Sequence, residues 1–551
     1  MNRREFLKNS GWTLLGAAAG ASLVGCATGT GGGGGGKYDS CIRRRFAPEG
    51  ERQNIYWGDV HNHCNITYGH GGLEEAFEAA KEQLDFVSVT PHALWPDIPG
   101  RGDPRLEWVI EYHESAFRRL RAGGWERYVE SAGRHNDPGR FLTFLSYECH
   151  SMEHGDHVVL HHDLSAPLLE CASVPDLMRR LEGQKAFITP HHLGYMAGYR
   201  GYNWAAFKGG DQTPFVEIFS RHGLAESDQG DYDYLHDMGP RTWERSALYG
   251  LEQGNRFGVM GSTDQHAGYS GSYGDGRIAV LAPSLDRDAL WEAMRTRRIY
   301  CATGDKILLD LRINGERMGG VTRGRKRNIY LGVEGWNFLD CVEIVKNGRT
   351  FARFEGPQSL RPTQDDGPLR ARVKLEFGWN REEEPVRWDG EVSVDGGVIN
   401  GVETCFRGLP YTSPQPGVPE RPTKVNRLTE VSAGSVALEM YSVKNPNTLT
   451  PAMQGAILDV TMPRDAKITA SFNGRSFSHT LGELLEGSRS HFMRGWLSEA
   501  VRFNRAATPE AYSLETALSD SKQERDTDYY YARVRQRDGQ WAWSSPIWVE
   551  S

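Results

Sequence analysis

Seven residues, Trp57-Gly58-Asp59-Val60-His61-Asn62-His63, constrain this chain more than any other stretch. The apolar run Ile55, Tyr56, Trp57 leads into a His-x-His pair, with His70 seven residues further on. In a β-strand, residues i and i+2 share a face, so His61 and His63 point the same way. Imidazoles converging at one strand end are a usual beginning of a zinc, manganese or iron site. A single such pair is more often surface or core than ligand, and the distribution of histidine is what strengthens it. Of 18 histidines, 16 lie before residue 270, leaving His479 and His491 beyond it. A merely solvated population would spread evenly.

Short apolar runs alternate with amphipathic stretches through this first half. The runs are 54–60, 85–90, 141–147, 157–161, 186–189, 215–219 and 256–260, with helical patterns at 73–84, 107–131 and 175–181. Strands alternating with helices predict parallel βα units, and seven strands over about 210 residues suit a closed or nearly closed barrel. Polar residues fall at the ends of the runs: Asp59, His61 and His63; Thr90 and His92; Glu148 and His150; His157, His161 and His162; His191 and His192; Ser220, Arg221 and His222; Asp264 and His266. In a βα barrel the C-terminal strand ends meet on the face that carries the chemistry.

From about Lys306 the texture changes to period-2 runs (307–313, 328–334, 341–345) separated by turns. Asn314-Gly315, Asn347-Gly348 and Asn473-Gly474 are hairpin signals. A helical pattern covers 481–497, and long loops are expected at 356–385 and 405–425. Residues 306–551 therefore read as a mostly antiparallel, sandwich-like domain. Its aromatic strands could contact carbohydrate, although such strands more often form core.

At 551 residues, 38% of them hydrophobic, the length favours two or three domains. A formal net charge of −8 argues against nucleic acid, leaving a small-molecule substrate, a polymer or a membrane as partner. The N-terminus names the membrane. Arg3-Arg4 resembles a twin-arginine export signal, an apolar stretch from Trp12 to Val24 follows, and Leu23-Val24-Gly25-Cys26 resembles a lipoprotein box with Cys26 lipidated. Residues 1–26 are then signal, 27–40 a Gly-rich linker, 41–305 the barrel and 306–551 the β-rich domain. The expected location is a bacterial membrane, with the body on the periplasmic side or the cell surface. The remaining seven cysteines show no metal-finger spacing and no disulfide framework.

Over residues 54–300 these motifs resemble the PHP (polymerase and histidinol phosphatase) superfamily of metal-dependent hydrolases. The resemblance implies a distorted seven-stranded (βα)7, TIM-like barrel holding two or three divalent transition metals (Zn, Mn or Fe). It assigns as ligands His61, His63, His70, His92, Glu148 as the bridging carboxylate, His157, His191 or its neighbour His192, Asp264 and His266. The stretch from Arg298 to Gly304 and the ending from Trp541 to Trp548 resemble an exported branch with a C-terminal β-domain, in which CehA/McbA-type carbamate ester hydrolases occur. The amidohydrolases also open with His-x-His, but they typically use a carbamylated lysine where Glu148 stands here.

The expected chemistry is attack by a metal-bridging hydroxide, most directly on a phosphoester. Asp264 and His192 would act as catalytic groups, Arg221 would clamp the phosphate beside His222, and a carbamate or carboxyl ester is the alternative substrate. A non-catalytic metal- or polymer-binding lipoprotein is the reading from a different class.

Overall fold

The computed structural model describes residues 54–100, 102–232, 241–356, 367–411, 420–447 and 450–551. Arg3, Arg4, Cys26 and the glycine run lie outside them. Strand β1 (Asn54–Asp59) runs parallel to β2 (Phe86–Val87), and β2 to β4 (Leu142–Thr143). β3 (His92–Leu94) runs parallel to β5 (Leu145–Cys149), but β6 (His157–His161) is antiparallel both to β5 and to β7 (Ala186–Pro190). β8 (Phe215–Ser220) pairs in parallel with β10 (Gly258–Gly261) and flanks the short β9 (Gly223–Leu224). β11 (Arg277–Ala282) returns antiparallel to β1, and β12 (Ile299–Ala302) antiparallel to β11.

All seven expected strand regions are present, yet they form a mixed α/β arrangement rather than a series of parallel βα units. Connection length explains β6. Only residues 150–156 separate it from β5, and a parallel crossover needs a dozen residues or more.

The helices follow the sequence pattern with one interruption. Leu73–Lys81 buries Leu73, Ala76, Phe77 and Ala80, the spacing of a single helix face. The stretch expected to be helical over 107–131 is instead Glu107–Arg119 and Trp125–His135, broken where Gly123 takes φ 100°. Ser173 caps Val174–Arg180 by accepting from the Asp176 amide, with Pro175 in the first turn.

The second half is strand-dominated. One five-stranded sheet orders its strands 398–404, 454–462, 369–378, 500–503 and 489–492; a second orders 427–431, 435–442, 386–394, 467–472 and 475–480. They meet through Phe377, whose ring lies 5.5 Å from Trp388 and 4.5 Å from Phe472. At all three Asn-Gly turns both residues take positive φ, as a type I′ hairpin requires. Two expectations fail. The helix at 481–497 is confined to Leu481–Glu486, capped reciprocally by Thr480 and Glu483, and the chain returns to strand at Arg489–Phe492. The expected loop at 356–385 contains the ten-residue strand Leu369–Gly378.

Hydrogen bonds cross the expected boundary at residue 305. Trp541–Ser544 pairs with β12 (Cys301↔Trp543, Ala302↔Ala542), so strands from both halves share one eleven-stranded sheet. Arg277 and Glu403, both fully or almost fully buried, add an ion pair at 3.0 Å between the halves.

Glycine positions test the packing. A Cβ on Gly58 would lie 2.2 Å from the Phe86 ring, whereas one on Gly133, inside a helix, meets nothing within 4 Å. Gly58→Ala should lower stability by about 1–3 kcal/mol, and Gly133→Ala should raise it by about 0.5–1 kcal/mol. Denaturant unfolding with the two effects equal or reversed would contradict the close approach of β1 and β2.

Candidate metal centre

Register decides which side chains meet. Glu148 sits opposite Val158 on β6 and His92 on β3, and Val158 sits opposite Thr189. Opposed residues share a face, so Glu148, His92 and His191, two residues past Thr189, point to the same side. Beyond their strands, His192 (φ 55°) and Asp264 (φ 46°) take the left-handed conformation that non-glycine residues avoid, turning the chain around the cluster. The tail of β1 is zipped to the segment that carries Asp264. Asp264 N donates to the His61 carbonyl at 2.7 Å and His63 N to the Gln265 carbonyl at 2.8 Å. The buried Asp59 carboxylate accepts from Thr263 Oγ1 (2.7 Å), Gly271 N (2.8 Å) and Thr263 N (3.1 Å).

His63 Nδ1 donates to the Thr90 carbonyl at 2.6 Å, which fixes its tautomer and leaves Nε2 with a lone pair. His61 Nδ1 lies 2.8 Å from Glu217 Oε2, and an ionised Glu217 fixes that ring in the same way. The two Nε2 atoms are 3.2 Å apart, and Asp264 Oδ1 lies 3.0 Å from one and 3.4 Å from the other. Asp264 Oδ2 faces His222 Nε2 at 3.1 Å and His192 Nε2 at 3.6 Å. Glu148 divides its oxygens, Oε2 to His92 Nε2 (3.1 Å) and His63 Nε2 (3.7 Å), Oε1 to His191 Nε2 (2.9 Å) and His150 Nδ1 (3.3 Å). His266 completes a three-imidazole group with His63 and His92.

Burial dominates the electrostatics. It pushes Asp264 up to about 8, opposed by His61 and reinforced by Glu217. It lifts Glu148 and Glu217 well above the carboxylate range, Asp156 adding to the effect on Glu148 and Asp59 to that on Glu217. His63, His92, His191 and His266 are held well below the ordinary imidazole range, by burial first and then by neighbouring imidazoles, so they stay neutral. For Asp156 burial also works against the charge, but Arg200 and then His150 bring the carboxyl well below its usual value.

These residues fit a divalent transition metal. Among the described residues, Glu148 Oε2, Asp264 Oδ2, both His191 nitrogens and His266 Nδ1 are buried with no aligned hydrogen-bond partner. Each such atom costs about 1–3 kcal/mol unless something compensates it. Several at one point call for a cation. The 3.0–3.4 Å spacing of the His61, His63 and Asp264 atoms is that of ligands sharing one centre at roughly 2.1 Å. Several groups of three or more ligand atoms lie within 4.8 Å of one another among the described residues, including His61, His191, Glu217 and Asp264, and His92, Glu148 and His150. Imidazole with carboxylate favours zinc, manganese or iron over an all-oxygen ion.

Four residues expected at the site are placed otherwise. His157 is one step out of phase with Glu148, so it faces the opposite side of the sheet, bonded to the Gly155 carbonyl (2.9 Å) and packed edge-on to Tyr202. His70 Nδ1 accepts from the Arg421 amide at 3.0 Å and the ring stacks on Tyr411. A neutral imidazole accepting at Nδ1 carries its proton on Nε2 and has no lone pair left to ligate. Arg221 pairs with Asp275 at 2.8 Å. His222, expected to touch substrate, lies on Asp264 instead.

Three residues not singled out from the sequence join the cluster, Glu217, Asp156 and Arg200, together with His150, one of the polar residues noted at the strand ends. Arg200 Nε donates to Asp156 Oδ2 at 2.6 Å, and His150 is held between Asp156 (3.1 Å) and the Tyr68 hydroxyl (3.1 Å). The sequence signal for Asp156 was its place beside His157 in a polar-rich connection. Glu217 was hidden inside an apolar run.

No protein-family model matches the chain. An uncharacterized protein of Chlamydia muridarum is 27% identical over 347 residues, 55% of each chain. Another, from Chlamydia pneumoniae, is 31% identical over 156 residues, 25% of each chain. The chain thus spans about half the length, or less, of the curated relatives it matches. Among solved structures, a two-domain protein from Bacteroides vulgatus containing a predicted PHP-like metal-dependent phosphoesterase gives a TM-score of 0.30 at 11% identity, covering 78% of this chain and 95% of that one. At that level the likeness does not establish a shared fold.

The raised carboxyls fix the sign of a pH effect. Asp264 titrates near 8 in the fold against 3.8 for an unperturbed group, so metal-free protein holds a proton that the unfolded chain has released. That stabilisation is complete below pH 3.8 and lost as pH rises through 8, and Glu148 and Glu217 act in the same direction. Chelator-treated protein should therefore show a Tm that falls as pH rises from about 5 to 8 and levels off above that. Added divalent zinc or manganese should flatten or reverse the fall, and a flat metal-free profile would contradict the burial of these carboxyls.

Proposed function

We propose that this chain is an exported metal-dependent hydrolase of the PHP type, anchored through lipid on Cys26 and holding two or three divalent transition metals in a barrel-like first half. The observation that carries the reading is the set of buried polar atoms without an aligned partner on Glu148, Asp264, His191 and His266. His61, His63, His92, Glu148, His191, Asp264 and His266 would hold the metals, with Glu217 holding the His61 ring at Nδ1. A bound divalent cation would supply Lewis acidity and an ionised water near neutral pH. The chain's own groups do the rest. Asp264, ionised once a cation is bound, would take the proton at its second oxygen, which lies against His222 and His192. Tyr68 and Asp156 hold the His150 ring, and Arg200 balances Asp156.

Phosphoester hydrolysis is the first assignment. Carbamate or carboxyl ester hydrolysis is the second, and one feature favours it: Asp275 already occupies the arginine foreseen as phosphate clamp. Turnover of an aryl phosphate against an aryl ester by metal-loaded protein separates the two. His63→Ala and His92→Ala should lose metal and activity together. His157→Asn should keep both, because it faces away. Asp264→Asn should lower kcat roughly 10²-fold or more while retaining much of the metal. Full activity in the His63 and His92 variants would place the chemistry elsewhere.

A further inference from the structure

The hairpin joining the edge strand Arg489–Phe492 to Ala500–Phe503 carries three large apolar side chains in the open: Phe492 at 56% exposure, Leu497 at 46% and Trp496 at 87%. The loop is built rather than slack. The Ser498 hydroxyl accepts from the Arg494 amide (3.0 Å) and the Gly495 amide (3.2 Å) and lies 2.8 Å from the Gly495 carbonyl. Met493 N donates to the Glu499 carbonyl at 2.8 Å, and Arg494 grips both Glu499 oxygens at 2.9 and 3.1 Å. Leu497 takes φ 65°, a conformation costly for a leucine, and spends it on an exposed apolar side chain. A free monomer gains nothing from such a tip, so something covers it.

Charge says what. Residues 489–505 contain Arg489, Arg494, Arg502 and Arg505 against the single acid Glu499, a net of +3 in a chain whose formal net charge is −8. Tryptophan and leucine at a turn, with arginines behind them, match the chemistry of a lipid interface, where indole sits at headgroup level and basic side chains meet anionic phosphates. We propose that this hairpin is a membrane-docking element that inserts Trp496 and Leu497 into the interface of an anionic bilayer. The contact is separate from any lipid on Cys26 and does not rest on the hydrolase reading.

The test uses the full chain carrying Cys26→Ser and Trp12→Phe, so that neither lipid nor the N-terminal indole contributes. The probe is phosphatidylglycerol vesicles with or without brominated phosphatidylcholine, whose bromines quench only indoles in the bilayer. Quenching should be clear with Trp496 present, fall at least fivefold in Trp496→Ala, and persist in the Trp108→Phe control. Equal quenching in the Trp496→Ala chain, or none in its parent, would overturn the proposal. So would size-exclusion chromatography showing a dimer that Trp496→Ala dissolves, because the tip would then be covered by a second copy.

Discussion

The centre depends on one imbalance: buried acceptor atoms point at one another with no donors between them. His61 Nε2, His63 Nε2 and Asp264 Oδ1 sit within 3.0–3.4 Å of each other, and Glu148 Oε2 and Asp264 Oδ2 have no aligned partner among the described residues. Protons can relieve part of this, which is why the carboxyls are pushed upward. A divalent cation relieves all of it at once, since it favours every ionised carboxylate and every imidazole lone pair together.

The surrounding structure holds that imbalance in place. Asp59 ties the segment 263–271 to the end of β1, which fixes Asp264 against the histidine pair. Glu217, Tyr68, Asp156 and the Thr90 carbonyl orient individual rings from outside, the kind of support that keeps ligands preorganised. The second half takes part as well. The Arg421 amide engages His70, Thr423 donates to the Ala267 carbonyl, and Gln265 reaches the Leu409 carbonyl (3.3 Å), so the residues flanking 412–419 run along the rim of the centre. The strands that close the chain lie in the sheet that starts at β1.

Much of this was legible in the sequence because it is local. The bounds of β6, the three Asn-Gly turns and the clustering of polar residues at strand ends follow from period-2 patterning and turn chemistry. What was missed depends on pairing. His157 carries the right chemistry, but its face depends on which residue stands opposite Glu148, and the seven-residue connection sets that register. Glu217 looked like a polar interruption in a core strand, and only the approach of β8 to His61 reveals its purpose. The strand Leu369–Gly378 alternates cleanly, yet Arg372 and Lys374 disguised it as loop. Both are buried, Arg372 paired with Glu334 and Asp459 and Lys374 with Asp538.

The most direct test of the central claim is anomalous X-ray scattering from crystals of protein purified without chelator, collected across the zinc, iron and manganese edges. At least one strong anomalous peak is expected, enclosed by His61, His63, Glu148, His191, Asp264 and His266, with none beside His157. A well-ordered cluster whose acceptors are satisfied by water and protons alone, with no anomalous signal even after the crystals are soaked in divalent metal, would contradict it.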